Sequence, residues 1–112
     1  MLPYRPDKFT DTFTHMDGAA VWAWLHEPDI RIRLETASSL HRPAVEAISP
    51  LLKTRFAEHT VRLKFRQMVG HMVRQVMEED GYALHRSNVK TRQAGCIYGY
   101  GNVYARGEAL AA

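Results

Sequence analysis

The pattern that decides the fold lies in residues 60–81, TVRLKFRQMVGHMVRQVMEEDG. Apolar side chains recur there every three or four residues, which is the spacing of one face of an α-helix. The members of this stripe are Val61, Phe65, Met68, Val69, Met72, Val73, Val76 and Met77. Thr60 is suited to cap the start of the helix, and Gly81 is suited to end it. The unbroken stripe favours one helix that runs through Gly70 over two helices that turn there.

Shorter helical segments are predicted before this long helix. Asp17 is a suitable N-cap for a helix over residues 19–26. Pro28 ends that helix and is also tolerated in the first turn of a new one. Residues 29–40 fit both a strand and a helix, and we favour the helix because Pro28 is a start signal.

A further helix is predicted after Pro43, where apolar residues again follow a helical spacing. Pro50 lacks a backbone N–H and is expected to kink or split this helix. Ser49 is suited to cap the second piece, with Pro50 at its first position. The segment is expected to end near Glu58.

The residues that follow Gly81 change from a helical pattern to a strand pattern. Turns are expected at Ser87-Asn88 and at Gly101-Asn102. The extended runs are residues 82–85, 89–92, 96–100 and 103–106. The predicted fold class is therefore α+β, with four to five helices followed by a small C-terminal antiparallel β-hairpin or sheet. This order of elements resembles that of a winged helix, although no sequence motif of that family is matched.

Length and composition indicate one small soluble domain. The chain has 112 residues, of which 46% are apolar and 24% are charged, as in an average globular protein. We expect an arm over residues 1–16, a single domain over 17–106 and a flexible tail over 107–112. The sequence shows no transmembrane run and no secretory signal, and its one cysteine excludes an intrachain disulfide, so a cytoplasmic location is expected.

The whole chain has a formal net charge of +3. Its positive charge is concentrated in the second half. Residues 53–92 hold nine bases and four acids, whereas residues 1–52 hold five bases and seven acids. Such asymmetry indicates a face suited to phosphates or to an acidic protein. The leading hypothesis is a nucleic-acid-binding protein, for DNA rather than RNA, that uses the long helix and the hairpin. The candidate contact residues are Arg66, Arg74, Arg86, Lys90, Arg92, Tyr98 and Tyr100.

The tyrosines of the hairpin have two interpretations. Tyr98, Tyr100 and Tyr104 share a parity, which predicts that they lie on one face of their strands. Their hydroxyls would then bond phosphates, or their rings would stack on unpaired bases. The alternative is that they pack the hairpin against the helices.

The competing hypothesis is a protein–protein interaction module, an adaptor or inhibitor that does not contact nucleic acid. Trp22 and Trp24 lie two residues apart, so they cannot share one face of a helix. One is expected in the core, and the other is expected to be exposed or to meet a partner. The methionines of the long stripe also allow a homodimer across that helix, but an ordinary core explains them better.

An enzyme is the class that the sequence supports least. No two of the six histidines are four residues apart, and no HExxH or CxxC motif is present, so no metal site is predicted. Cys96 with His71 or His85 as a base is a conceivable nucleophile, but a lone cysteine in a strand is more often a small buried hydrophobe. No cofactor and no catalytic residue are predicted.

Overall fold

A computed structural model describes residues 18–107 of the chain. It contains four helices followed by two antiparallel strands, which confirms the α+β fold class. The elements are α1 (Gly18–Leu25), α2 (Pro28–Ser39), α3 (Ala44–Arg55), α4 (Leu63–Glu79), β1 (Tyr82–Lys90) and β2 (Tyr100–Arg106). The predictions for the arm, for Asp17 and for residues 108–112 lie outside the described residues.

The long helix α4 is one helix through Gly70, as the unbroken stripe predicted. Its apolar face lies at the centre of the core and is almost wholly inaccessible to solvent. Val61 is the exception, because α4 begins at Leu63 and leaves Val61 78% exposed. Thr60 does not cap the helix, since its hydroxyl donates to a backbone carbonyl of the preceding turns. The predicted start of the helix at these two residues is therefore wrong.

Acidic residues at the C-terminal end of α4 connect it to the first two helices. The Glu79 Oε2 atom lies 2.6 Å from Nε2 of His26, which follows α1. Asp80 forms an ion pair with Arg31 of α2. These contacts offset the unfavourable interaction of carboxylates with the negative end of the helix dipole.

Helix α3 contains Pro50 but is not divided by it. Of the predicted kink or split, the split is therefore wrong, and α3 ends at Arg55 instead of near Glu58. Its apolar residues are buried against the core, and this packing outweighs the one backbone hydrogen bond that Pro50 cannot make. Ser49 caps no second helix; it is 1% exposed, and its Oγ accepts a hydrogen bond from the Ile97 N–H.

Strand β1 is not interrupted at the position where a turn was predicted. Ser87 and Asn88 are strand residues, and Asn88 has a φ of 55°. The register with β2 shifts twice, once on each side of Arg86, so β1 holds an extra residue at each point. Such a bulge reverses the alternation of side chains between the two faces. Arg86 consequently shares a face with Val103 instead of with Leu84.

Strand β2 begins at Tyr100, so the strand predicted over residues 96–100 and the turn predicted at 101–102 are wrong. β2 packs against α2 and α3, whereas β1 packs against α4 and is mostly exposed. The Ser38 hydroxyl of α2 donates to the Tyr104 carbonyl oxygen of β2 at 2.6 Å. The hairpin is thereby held on the side of the molecule formed by α2 and α3.

Both tryptophans of α1 are buried, each with 5% of its surface exposed. The Trp24 ring meets Phe56 edge-on with centroids 5.6 Å apart, and the Trp22 ring meets His26 at 4.6 Å. The prediction that one tryptophan is exposed is wrong because α1 is enclosed on more than one face. The methionines of the α4 stripe are also core residues, which confirms the simpler interpretation of them.

Candidate nucleic-acid interface

The turn between α2 and α3 has a defined hydrogen-bonded geometry. The Arg42 N–H donates to the Ala37 carbonyl at 2.9 Å, and the His41 N–H donates to the Ser38 carbonyl at 3.0 Å. This is the pattern of a Schellman C-cap, in which glycine is usual at the position that His41 occupies. His41 has a φ of 55°, and this left-handed conformation costs a non-glycine residue about 1 kcal/mol. The turn fixes the backbone of Arg42 at the surface.

The loop between β1 and β2 is attached to α3 by two buried side chains. Oε1 of Glu46 accepts hydrogen bonds from the backbone N–H groups of Arg92, at 2.9 Å, and Gln93, at 2.8 Å. Oγ of Ser49 accepts a third from the Ile97 N–H at 3.0 Å. Because Glu46 and Ser49 are three residues apart, they lie on the same side of α3. The loop that carries Arg92 is thus held in place by the helix.

The α2–α3 turn, strand β1 and this loop surround a recess of about 430 Å³, which we call the hairpin recess. Its cationic side chains are Arg42, Arg86, Lys90 and Arg92. All four are exposed, and none forms an ion pair within residues 18–107. Glu46 is the carboxylate that borders the recess. The two bulges of β1 place Arg86 on the face of the sheet where Val103 also lies.

A neighbouring recess of about 390 Å³ lies between α2, α3 and the loop, and we call it the helical recess. Arg42 and Glu46 border both recesses, and the helical recess adds Arg33 and Gln93. Together the two recesses form one positively charged region. We call its five cations the basic surface, which consists of Arg33, Arg42, Arg86, Lys90 and Arg92.

The carboxylate of Glu46 is only partly satisfied by the protein. The residue is 4% exposed, and both hydrogen bonds described for its side chain are accepted by Oε1. Oε2 is buried and has no hydrogen-bond partner in the described part of the chain. An unsatisfied buried acceptor costs about 1–3 kcal/mol, and a charged one costs more. This oxygen therefore keeps an unused capacity to accept a hydrogen bond.

The structure brings together three of the predicted contact residues and separates two others from them. Arg86, Lys90 and Arg92 border the same recess. Arg66 is half-buried and donates to the Thr60 carbonyl at 2.7 Å. Arg74 donates to Oε1 of Glu78 at 2.9 Å, in an exposed ion pair within α4. The basic residues of the long helix thus do not join those of the hairpin.

All three tyrosines border one recess, although only Tyr100 and Tyr104 are residues of β2. Tyr98 precedes β2, and its hydroxyl donates to the Arg66 carbonyl at 2.9 Å. Burial raises the pKa of Tyr98 and also that of Tyr104, which lies in the core. Tyr100 is 62% exposed and borders, with Tyr98 and Leu63, a third cavity of about 380 Å³ that we call the tyrosine recess. The predicted contact residues Tyr98 and Tyr100 thus border a different recess from the four cations, although Tyr100 is the cross-strand partner of Lys90.

Sequence reasoning missed Arg33, Arg42 and Glu46, which all come from the acidic half of the chain. Charge counted along the sequence cannot show that a turn between two helices meets a hairpin some 45 residues later. For Glu46 the sequence contains one signal of a structural role. It directly follows Val45 in an apolar helix and lies three residues before Ser49, which places two polar residues beside the buried stripe.

Residues 18–107 contain no group of three histidine, cysteine, aspartate or glutamate side chains that would hold a metal ion. The same part of the chain contains no helix with the length and hydropathy needed to cross a bilayer. The rings of His41 and His85 lie 5.9 Å apart beside the basic surface. The chain matches no protein-family model, no curated protein and no solved structure.

Proposed function

We propose that this protein binds nucleic acid through the basic surface. The observation that carries the proposal is the meeting of Arg42, Arg86, Lys90 and Arg92 around one recess without an ion pair among the described residues. Phosphates supply most of the non-specific affinity of proteins for nucleic acid, because each neutralised phosphate releases counterions. A polyanion offers such charges at a regular spacing, which suits cations held on several separate segments.

The elements proposed to contact nucleic acid differ from those that the sequence favoured. Reading of a groove by α4 has less support, because Arg74 is paired with Glu78 and Arg66 is engaged with a backbone carbonyl. The hairpin has more support, because three hydrogen bonds attach its loop to α3. Such attachment lowers the entropy cost of ordering the loop when a ligand binds.

A pair of charge-matched variants tests the proposal. Arg86, Lys90 and Arg92 are changed to Gln in the first, and the exposed residues Lys53, Arg55 and Lys64 are changed to Gln in the second. Binding of a labelled single-stranded oligodeoxynucleotide is measured by fluorescence anisotropy at about 50 and about 200 mM salt. An oligoribonucleotide of the same sequence tests the preference for DNA.

We expect the unmodified protein to lose roughly tenfold or more in affinity over this salt range, as three or four phosphate contacts require. The first variant should bind weakly and show a shallower dependence on salt, whereas the second should stay close to the unmodified protein. Equal losses in the two variants would mean that net charge, and not the basic surface, drives binding. Absence of binding at the lower salt concentration would reject the proposal.

A second candidate function, a protein–protein interaction module, is favoured by a different observation. Leu63 and Tyr100 are 60% and 62% exposed and border the tyrosine recess. Exposed apolar and aromatic side chains beside a cavity are common at protein interfaces. If this surface joins two copies of the chain, sedimentation will show a concentration-dependent mass that the double change Leu63→Ser and Tyr100→Ser abolishes.

A further inference from the structure

We propose that Oε2 of Glu46 accepts a hydrogen bond from the amino group of an unpaired base, so that the basic surface prefers cytosine and adenine to thymine. This inference rests on the proposed function and adds a base preference to it. The carboxylate, not the surrounding cations, is the group that distinguishes one base from another.

The position of Oε2 is fixed before any ligand binds. The two backbone N–H groups of Arg92 and Gln93 hold Oε1 on the side of the loop. The carboxylate is planar, so this pair of bonds also sets the direction of Oε2. Glu46 borders both the hairpin recess and the helical recess, and Oε2 has no hydrogen-bond partner among residues 18–107. A preorganised acceptor of this kind discriminates better than a mobile one.

The chemistry of the surroundings limits which donor can approach this oxygen. A cationic donor, such as a lysine or arginine of another protein, would be repelled by the five cations of the basic surface. A neutral amino group on an anionic molecule meets no such repulsion, and a nucleotide is a molecule of this kind. Cytosine and adenine carry an exocyclic amino group, whereas thymine presents a carbonyl oxygen at the corresponding position. A thymine oxygen facing Oε2 would be repelled.

The recesses are large enough for a base, since volumes of about 390 and 430 Å³ lie in the range of small-ligand sites. Oε2 is closed to water in the free protein, so a base reaches it by displacing side chains at the border. Leu40, Arg42 and Gln93 lie at that border and are exposed, which leaves them room to move. A base inside a duplex cannot enter in this way, so the ligand is a single strand.

The test compares oligo(dC) with oligo(dT) of equal length and equal charge, measured by anisotropy at one salt concentration. The phosphate contribution is the same for both probes, so the ratio of the two affinities reports the base. We expect oligo(dC) to bind roughly tenfold more tightly, the size of one hydrogen bond to a charged group. Oligo(dA) should resemble oligo(dC) in this comparison.

The variant Glu46→Gln gives the sharpest readout. Its amide oxygen can still accept from Arg92 and Gln93, which places the amide NH₂ where Oε2 was. A donor at that place favours the thymine oxygen over the cytosine amino group, so the preference should vanish or reverse. Glu58→Gln changes an exposed residue by the same charge and should keep the original preference.

A modified probe keeps the test valid even if Glu46→Gln does not fold. Cytosine that carries two methyl groups on its amino nitrogen has no N–H there, and it should bind the unmodified protein no better than thymine does. Salt-dependent binding with equal affinity for oligo(dC), oligo(dT) and the methylated probe would overturn this inference and leave the proposed function standing. Absence of salt-dependent binding to any probe would overturn both.

Discussion

Gly101 of β2 lies directly against Val45 of α3. A Cβ atom added to Gly101 would stand 2.7 Å from Cγ2 of Val45 and 2.8 Å from Cβ of Pro43. Any side chain at this position would push the hairpin away from the start of α3. One part of the basic surface lies on the α2–α3 turn, and the other lies on the hairpin. Both border the same recess because residue 101 is glycine.

We expect Gly101→Ala to lower the free energy of unfolding by about 1–3 kcal/mol, the usual cost of overpacking. Urea denaturation followed by circular dichroism measures this change. Gly99→Ala is the matched control, because a Cβ at Gly99 meets nothing within 4 Å. If the two variants are equally stable, the hairpin does not depend on this close contact.

His41→Gly is expected to stabilise the protein by about 0.5–1 kcal/mol, since glycine adopts the left-handed conformation of the turn without strain. His41→Ala is the control, because it removes the same imidazole but keeps the strained φ. Thermal unfolding of the two variants separates the backbone effect from the loss of the ring. A glycine variant no more stable than the alanine variant would contradict the C-cap assignment.

The contacts of Glu79 with His26 and of Glu78 with Arg74 should differ in strength. The pair of His26 and Glu79 has side chains 7% and 10% exposed, and Nδ1 of His26 also lies 2.7 Å from the Trp22 carbonyl oxygen. A double-mutant cycle with alanine at His26 and Glu79 should give a coupling of about 1–3 kcal/mol in the free energy of unfolding.

The corresponding cycle on Arg74 and Glu78, whose side chains are 53% and 42% exposed, should give no more than about 0.5 kcal/mol. Salt should reduce the coupling of the exposed pair more than that of the buried pair. Similar couplings for both pairs would show that His26 does not join α1 to α4.

The stability of the protein should fall in alkaline solution. Burial raises the pKa of Tyr98 above its ordinary value of about 10. Above that pH the unfolded chain loses the phenolic proton while the folded chain keeps it, so the free energy of unfolding decreases as pH rises. Tyr104, whose pKa is raised by the same cause, contributes in the same direction.

Tyr98→Phe removes the hydrogen bond to the Arg66 carbonyl and should cost about 1 kcal/mol at neutral pH. Above pH of about 10 this cost should shrink, because the variant no longer has the Tyr98 proton to lose. Urea denaturation at neutral and alkaline pH measures the difference. A constant difference at all pH values would mean that the phenol is not buried in the folded state.

The sequence carried enough information for the helices because their signals are local. The spacing of Phe65, Met68, Val69 and Met72 identifies the buried face of α4 without any knowledge of its partners. Pro28 marks the start of α2 in the same way. The sequence alone was misleading for Pro50, because the packing of α3 against the core outweighs the local signal of proline.

The basic surface depends on contacts that are distant in the sequence. Glu46 bonds residues 46 and 47 positions later, and Tyr98 bonds Arg66 across 32 positions. The bulges on either side of Arg86 arise from the register between two strands, which a local pattern of alternation does not contain. The three hairpin cations were therefore predictable as cations, but their meeting with Arg42 was not.

The irregular register of β1 also has a consequence for aggregation. In the part of the chain that the structure describes, β1 pairs with β2 alone, so its other edge is open to strands of neighbouring molecules. A strand with two inserted residues and a left-handed Asn88 cannot offer the straight row of N–H and C=O groups that edge-to-edge stacking needs. The same distortion that orients Arg86 thus protects the hairpin from growing into a fibril at high concentration.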